Sequence, residues 1–143
     1  MTRLILLRHG QTDWNEEGRF RGRADVGLNE VGWHQVELTA HLVATKWNPT
    51  AVYCSPLHRA RQTAEAIAQP LRLHERAHPG LLDIDYGAWQ GLTLEEVRQR
   101  WPAALQAWFA RPTKAPIPGG EMLETVQLRA VGTIGEIVNR HVG

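Results

Sequence analysis

Arg8, His9 and Gly10 follow directly on the apolar run Leu4-Ile5-Leu6-Leu7. A short apolar run bounded by polar residues reads as a buried parallel strand. Ligands of open α/β sheets bind outside the carboxyl ends of such strands. A cation and an imidazole are therefore presented where a pocket is expected, and Gly10 lets the backbone turn or approach a ligand closely. The same residues also describe a strand that ends in two solvated polar side chains. Arg59 lies in the first turn of a helix just past the carboxyl end of a second short strand, at the sheet edge that carries His9. Arg19, Arg21 and Arg23 alternate through Phe20 and Gly22, a rim suited to attracting anions; Arg19 and Arg23 taken singly read as solvated loop residues. Asp83 and Asp85 alternate with apolar residues in an extended segment.

Two other patterns compete for attention. His74-Glu75-Arg76-Ala77-His78 matches the H-E-x-x-H zinc pattern. That pattern works on a helix, where both histidines share a face, and Pro79 biases His78 away from helical geometry. It reads as a chance match, so no metal ligands are assigned. Cys54 precedes Arg59 with Ser55-Pro56-Leu57-His58 between them, an interval one residue short of a cysteine phosphatase loop and without glycine. Cys54 reads as a small buried residue.

The elements that must position these residues follow from periodicity. Asn29 is a candidate N-cap, and Trp33, Val36, Ala40, Val43 and Trp47 recur at helical spacing until Asn48-Pro49. Ala51-Val52-Tyr53-Cys54 reads as a strand. Leu57, Ala60, Ala64, Ile67 and Leu71 form the next helical stripe, with Pro56 well placed near its start. Strand, loop and helix in repetition give a doubly wound α/β pattern. Thr93-Leu94-Glu95-Glu96 is a capping box; Trp101-Pro102 breaks the helix it opens, and Leu105, Trp108 and Phe109 suggest another. The proline- and glycine-rich stretch 111–120 is a loop. Val126, Ala130, Ile134 and Ile137 mark a last helix.

Composition narrows the function classes. The chain has 143 residues and a net charge of +1, which suggests one domain and argues against a nucleic-acid partner on bulk charge. The single cysteine excludes an internal disulfide. The early apolar run is too short for the core of a signal peptide, and no stretch could span a bilayer. A cytoplasmic setting and no membrane partner are expected.

Arg8-His9-Gly10, Asn15, the run Ser55-Pro56-Leu57-His58-Arg59-Ala60-Arg61-Gln62-Thr63-Ala64, and Asp83 before Tyr86-Gly87 together resemble the histidine phosphatase superfamily, the phosphoglycerate mutase-like proteins. The resemblance covers nearly the whole chain. It implies an α/β fold, a three-layer αβα sandwich with a mostly parallel central sheet. It implies that His9 is the nucleophile and forms a phosphohistidine, that Arg8 and Arg59 clamp the phosphoryl oxygens, and that Asn15 donates to them. Arg21 and Gly22 match a family loop lining the pocket. Asp83 stands where the family usually has a glutamate that protonates the leaving oxygen and then takes a proton from water; it is one methylene shorter, and Asp85 is the alternative. Arginines stabilise charge on a transferred phosphoryl group without a cofactor.

The expected activity is hydrolysis of a small phosphorylated metabolite. A phosphoglycerate mutase and a non-catalytic phosphate-ester binder are the alternatives. The resemblance further implies a second catalytic histidine on a strand after the last helix. His141 lies in the tail of that helix and is not that histidine. The reading therefore expects residues 1–143 to form a single histidine phosphatase domain incomplete at the C-terminus, prone to self-association as a homo-oligomer, with poor turnover unless His58 or His78 substitutes. Gly119-Gly120-Glu121 also resembles the family, with Met122 in place of the usual Ser or Thr cap.

Overall fold

Asn29 caps helix α2 (Glu30–Lys46) as its residue type predicts: its side chain accepts from Gly32 N at 2.9 Å. In the computed structural model, which describes residues 2–142, a single helical turn α1 (Asp13–Glu16) precedes α2. Then come strand β1 (Val52–Cys54), helix α3 (His58–Ala68) and strand β2 (Glu75–Ala77). Helices α4 (Leu94–Arg100), α5 (Pro102–Ala110) and α6 (Leu123–Arg140) complete the order. The chain divides into two compact units. One holds Arg3–Asp13 and Asp25–Leu82; the other holds Thr2, Trp14–Ala24 and the chain from Asp83 onward.

The first unit is a helix–sheet unit. Strands β1 and β2 pair in parallel, Val52 opposite Glu75 and Cys54 opposite Ala77, with α3 as the crossover between them. Helices α2 and α3 bury Ala40, Val43 and Ile67 together over Val52 and Leu71. Of the helical stripe predicted for α2, Val36, Ala40 and Val43 are buried, whereas Trp33 at its start stays 39% exposed. Just past the helix, Asn48 takes a φ of +42° that reverses the chain, and its amide donates to Val43 O.

One expectation fails here. Leu4–Leu7 joins no strand ladder among the described residues, and Leu6 is 80% exposed. An apolar run records a preference for burial; it does not name the partner whose hydrogen bonds would make it a strand. Conversely β2 was unmarked by periodicity, and it places Glu75–Ala77 of the H-E-x-x-H pattern on extended backbone. There successive side chains alternate between faces and do not follow the helical geometry that pattern needs.

The second unit is mainly helical. Thr93 and Glu96 form the predicted capping box, each satisfying the other's backbone amide. Pro102 opens α5 at a position where its missing N–H costs nothing. The core is Ile84, Trp89, Val97, Leu105 and Ile117, over which Phe20, Tyr86 and Trp108 pack with edge-on ring contacts. Among the described residues no helix is long and apolar enough to cross a membrane.

Candidate active site

In the helix–sheet unit the chain after residue 7 is tied down by backbone contacts. An added Cβ on Gly10 would stand 2.6 Å from Gly32 O, and one on Gly32 would stand 2.1 Å from Gln11 O. Two glycines thus let the segment lie directly on the first turn of α2. Gly10 serves this close approach to a helix; its φ is not in the left-handed region, so no special turn is involved. Gln11 completes the attachment: its amide donates to Gln35 Oε1 at 3.0 Å, its carbonyl accepts from Asn29 N at 3.0 Å, and its side-chain oxygen accepts from Asn29 Nδ2 at 3.1 Å.

His9 lies half-buried on this anchored segment. Its Nδ1 is 2.7 Å from Gly10 O. A carbonyl only accepts, so Nδ1 carries the proton of the neutral ring and Nε2 keeps its lone pair. Arg8 beside it is exposed, whereas Arg59 is 1% exposed. Arg59 occupies the second position of α3, whose N-cap residue Leu57 has no side chain able to cap. Asp25 fills that role from a distant part of the sequence, its Oδ1 accepting from His58 N at 2.6 Å. Gln62 accepts from Leu28 N at 2.8 Å and holds the same loop to α3.

Thr63 joins the two halves of this arrangement. Its hydroxyl donates to Arg59 O at 2.8 Å and accepts from Gly10 N at 3.1 Å. The backbone after His9 and that of Arg59 are thereby tied together, and Arg8, His9 and Arg59 lie in one unit. His78, named as a possible substitute histidine, uses Nδ1 to accept from Gly80 N and caps a turn. Cys54 is buried, and desolvation pushes its thiol up to about 11.

Asn15, Arg21, Gly22 and Asp83 belong to the helical unit. Gly22 has φ +46°, and a Cβ there would stand 2.5 Å from Ile84 O, so the loop of Arg21 lies against the backbone of Ile84. The two candidate carboxylates differ in their local work. Asp85 Oδ1 accepts from Gly87 N at 2.8 Å, supporting the turn in which Gly87 takes φ +46°. Asp83 Oδ1 accepts from the next amide, Ile84 N, at 2.8 Å. The Asp83 carbonyl accepts from Arg23 Nε at 2.7 Å and from Arg129 Nη2 at 3.1 Å. Hydrogen bonds from Arg129 hold the Glu121 carboxyl below the usual range, and Glu121 in turn raises Arg129. Sequence reasoning missed Asp25 and Arg129, and gave no role to Gln62 and Thr63, which it quoted only as part of the motif run. None stands in a periodic stripe, and each acts through a contact far away in sequence.

A family model described as the histidine phosphatase superfamily (branch 1) matches residues 4–143. Bifunctional protein Rv2228c of Mycobacterium tuberculosis is 44% identical over 128 residues, covering 90% of this chain and 35% of the relative. Phosphoserine phosphatase 1 of Hydrogenobacter thermophilus is 36% identical, covering 99% of this chain and 66% of the relative. A solved structure of mycobacterial glucosyl-3-phosphoglycerate phosphatase with VO3 superposes at a TM-score of 0.85 and 33% identity, covering 93% of this chain and 65% of that one. The chain thus spans between about a third and two thirds of the length of these relatives.

Proposed function

Since the chain belongs to the histidine phosphatase superfamily and has its α/β, phosphoglycerate mutase-like fold, we propose that it hydrolyses a small phosphomonoester through a phosphohistidine at His9. The observation that carries this reading is the 2.7 Å contact of His9 Nδ1 with Gly10 O. It leaves Nε2 of the neutral ring as the nitrogen able to attack phosphorus, with the ring's orientation held by the other nitrogen.

The chemistry then runs in two displacements. Nε2 of His9 forms a bond to phosphorus as the bond to the leaving alcohol oxygen breaks, and Asp83 gives that oxygen its proton. Asp83, now a carboxylate, takes a proton from water as the water oxygen attacks phosphorus, and the phosphorus–nitrogen bond breaks to free phosphate and His9. Arg8 and Arg59 neutralise charge on the equatorial oxygens, the main requirement of phosphoryl transfer. The burial of Arg59 suits this, because a cation held out of water interacts more strongly with a bound anion. Asn15 donates to the same oxygens, and Arg21 with Gly22 lines the substrate. Each carboxylate accepts one local amide, so the choice of Asp83 as the acid follows its place in the motif before Tyr86-Gly87. The clamp is made of arginines, so no metal or other cofactor enters the scheme. That two similar proteins carry phosphatase names supports hydrolysis over mutase chemistry.

The test is release of inorganic phosphate from a panel of phosphorylated metabolites in EDTA, with and without 2,3-bisphosphoglycerate. Release without that compound supports a phosphatase. Turnover that requires it would make the protein a mutase, and phosphate binding without turnover would make it a binder.

A further inference from the structure

Glu121 sits at the centre of a group that grips one backbone segment of the helical unit. Its carboxylate takes Arg129 in a two-point bond, Nε to Oε1 and Nη2 to Oε2, both at 2.9 Å. It also accepts from Arg23 Nη2 at 3.4 Å. Both arginines reach on to one acceptor, the carbonyl of Asp83. Glu121 closes the other side of the segment as well: Oε2 accepts from Asp85 N at 3.3 Å, and its own amide donates to Asp85 O at 2.8 Å. Between these points Ile84 is buried. Residues 83–85 are therefore held by their backbone from two directions, and Glu121 and Arg129 have side chains only 14% and 21% exposed.

We propose that Glu121 is a positioning residue for the Asp83 carboxyl, acting through Arg23 and Arg129. The proposal rests on Asp83 being the proton donor. An aspartate has a short side chain with two torsions, so the place of its carboxyl is decided mainly by its own backbone. Proton transfer needs the carboxyl within hydrogen-bond reach of the leaving oxygen, about 2.6–3.2 Å. A misplacement of about 1 Å can cost about a hundredfold in rate. Planar guanidinium forks on a carboxylate fix direction as well as distance, which a single ammonium or amide would not do. Glu121 holds both forks on the Asp83 carbonyl at once.

The test compares an alkyl phosphate, whose leaving oxygen needs a proton, with 4-nitrophenyl phosphate, whose leaving oxygen does not. Asp83→Asn is measured first on the full chain. The loss is read in the rate of phosphohistidine formation in a single turnover, because the later attack of water also uses Asp83 and is common to both substrates; it should be confined largely to the alkyl phosphate, and equal losses on both would remove Asp83 as the acid and this proposal with it. Glu121→Gln and Arg129→Lys should then show the same selectivity in a weaker form. The expected loss in the rate of phosphohistidine formation is about ten- to a hundredfold on the alkyl phosphate and under about threefold on the aryl one, with substrate affinity little changed. Equal losses on the two substrates, or none, would overturn the positioning role while leaving Asp83 in place. A second measurement does not need turnover. Amide hydrogen exchange at Ile84 and Asp85 should rise at least about tenfold in Glu121→Gln, with the amides of Val36 to Val43 as the unchanged internal standard. Unaltered protection at Ile84 and Asp85 would overturn the proposal whatever the kinetics.

Discussion

Gly10 and Thr63 are 53 residues apart in sequence, and the amide of one donates to the hydroxyl of the other at 3.1 Å. The same hydroxyl donates to Arg59 O at 2.8 Å. One small side chain therefore sets the position of the His9 segment relative to the helical turn that carries Arg59. Neither residue is chemically reactive in the proposed scheme. Their bond is what ties the proposed nucleophile and a buried cation, encoded on different elements, into one compact unit.

Replacing Thr63 with Val keeps the shape and removes both bonds. The buried Gly10 amide then loses its acceptor, which should destabilise the fold by about 1–3 kcal/mol. Thr63→Ser should recover most of this, since it keeps the hydroxyl. Urea denaturation of the two variants checks the stability. Vanadate affinity checks the site: Val should weaken it and Ser should restore it.

Asp83 and Asp85 separate by substitution with asparagine. Asp83→Asn removes the acid and should lower kcat by about a hundredfold or more on alkyl phosphates. Asp85→Asn still offers an oxygen to Gly87 N, so activity should stay near that of the parent chain. Kinetics on alkyl phosphates decide the matter, and the reverse pattern would transfer the role to Asp85.

The Glu121 carboxyl is held below its usual range, chiefly by hydrogen bonds from Arg129. Its folded value therefore lies under that of the unfolded chain, about 4.3. A depressed carboxylate stabilises the fold fully above the unfolded value and loses that contribution as pH falls through the folded one. Urea unfolding followed from about pH 6 down to about pH 3 should show a decline that is smaller in Glu121→Gln. Parallel curves for the two proteins would contradict this.

Cys54 should be inert. With its thiol pushed up to about 11 by burial, only about one molecule in a thousand holds a thiolate at pH 8. Iodoacetamide at that pH should label the folded chain slowly and leave phosphatase activity intact. Rapid labelling with matching loss of activity would reopen a cysteine mechanism.

Much of this arrangement was legible in the residues. Asn29 and the Thr93–Glu96 box each announce a helix start by local chemistry, and each helix begins there; Trp101-Pro102, read as the break after α4, is also where α5 opens. Arg8, His9 and Arg59 stand out because cations and an imidazole at element ends are unusual company for apolar runs. The strand expected at Leu4–Leu7 was not borne out, because pairing is a property of two segments and the run describes only one. Asp25 as the cap of α3, Thr63 between Gly10 and Arg59, and Arg129 on the Asp83 carbonyl were invisible for a related reason. Each is an ordinary polar residue whose partner is chosen by the tertiary fold.

The central claim is that His9 carries the phosphoryl group. Brief mixing with a phosphomonoester, followed by quenching in base and peptide mass spectrometry, tests it most directly. The account predicts a base-stable, acid-labile phosphate on His9, absent in His9→Ala, whose fold is checked by circular dichroism and urea unfolding. Phosphate on Cys54 or another residue, or steady release of phosphate by His9→Ala, would contradict it.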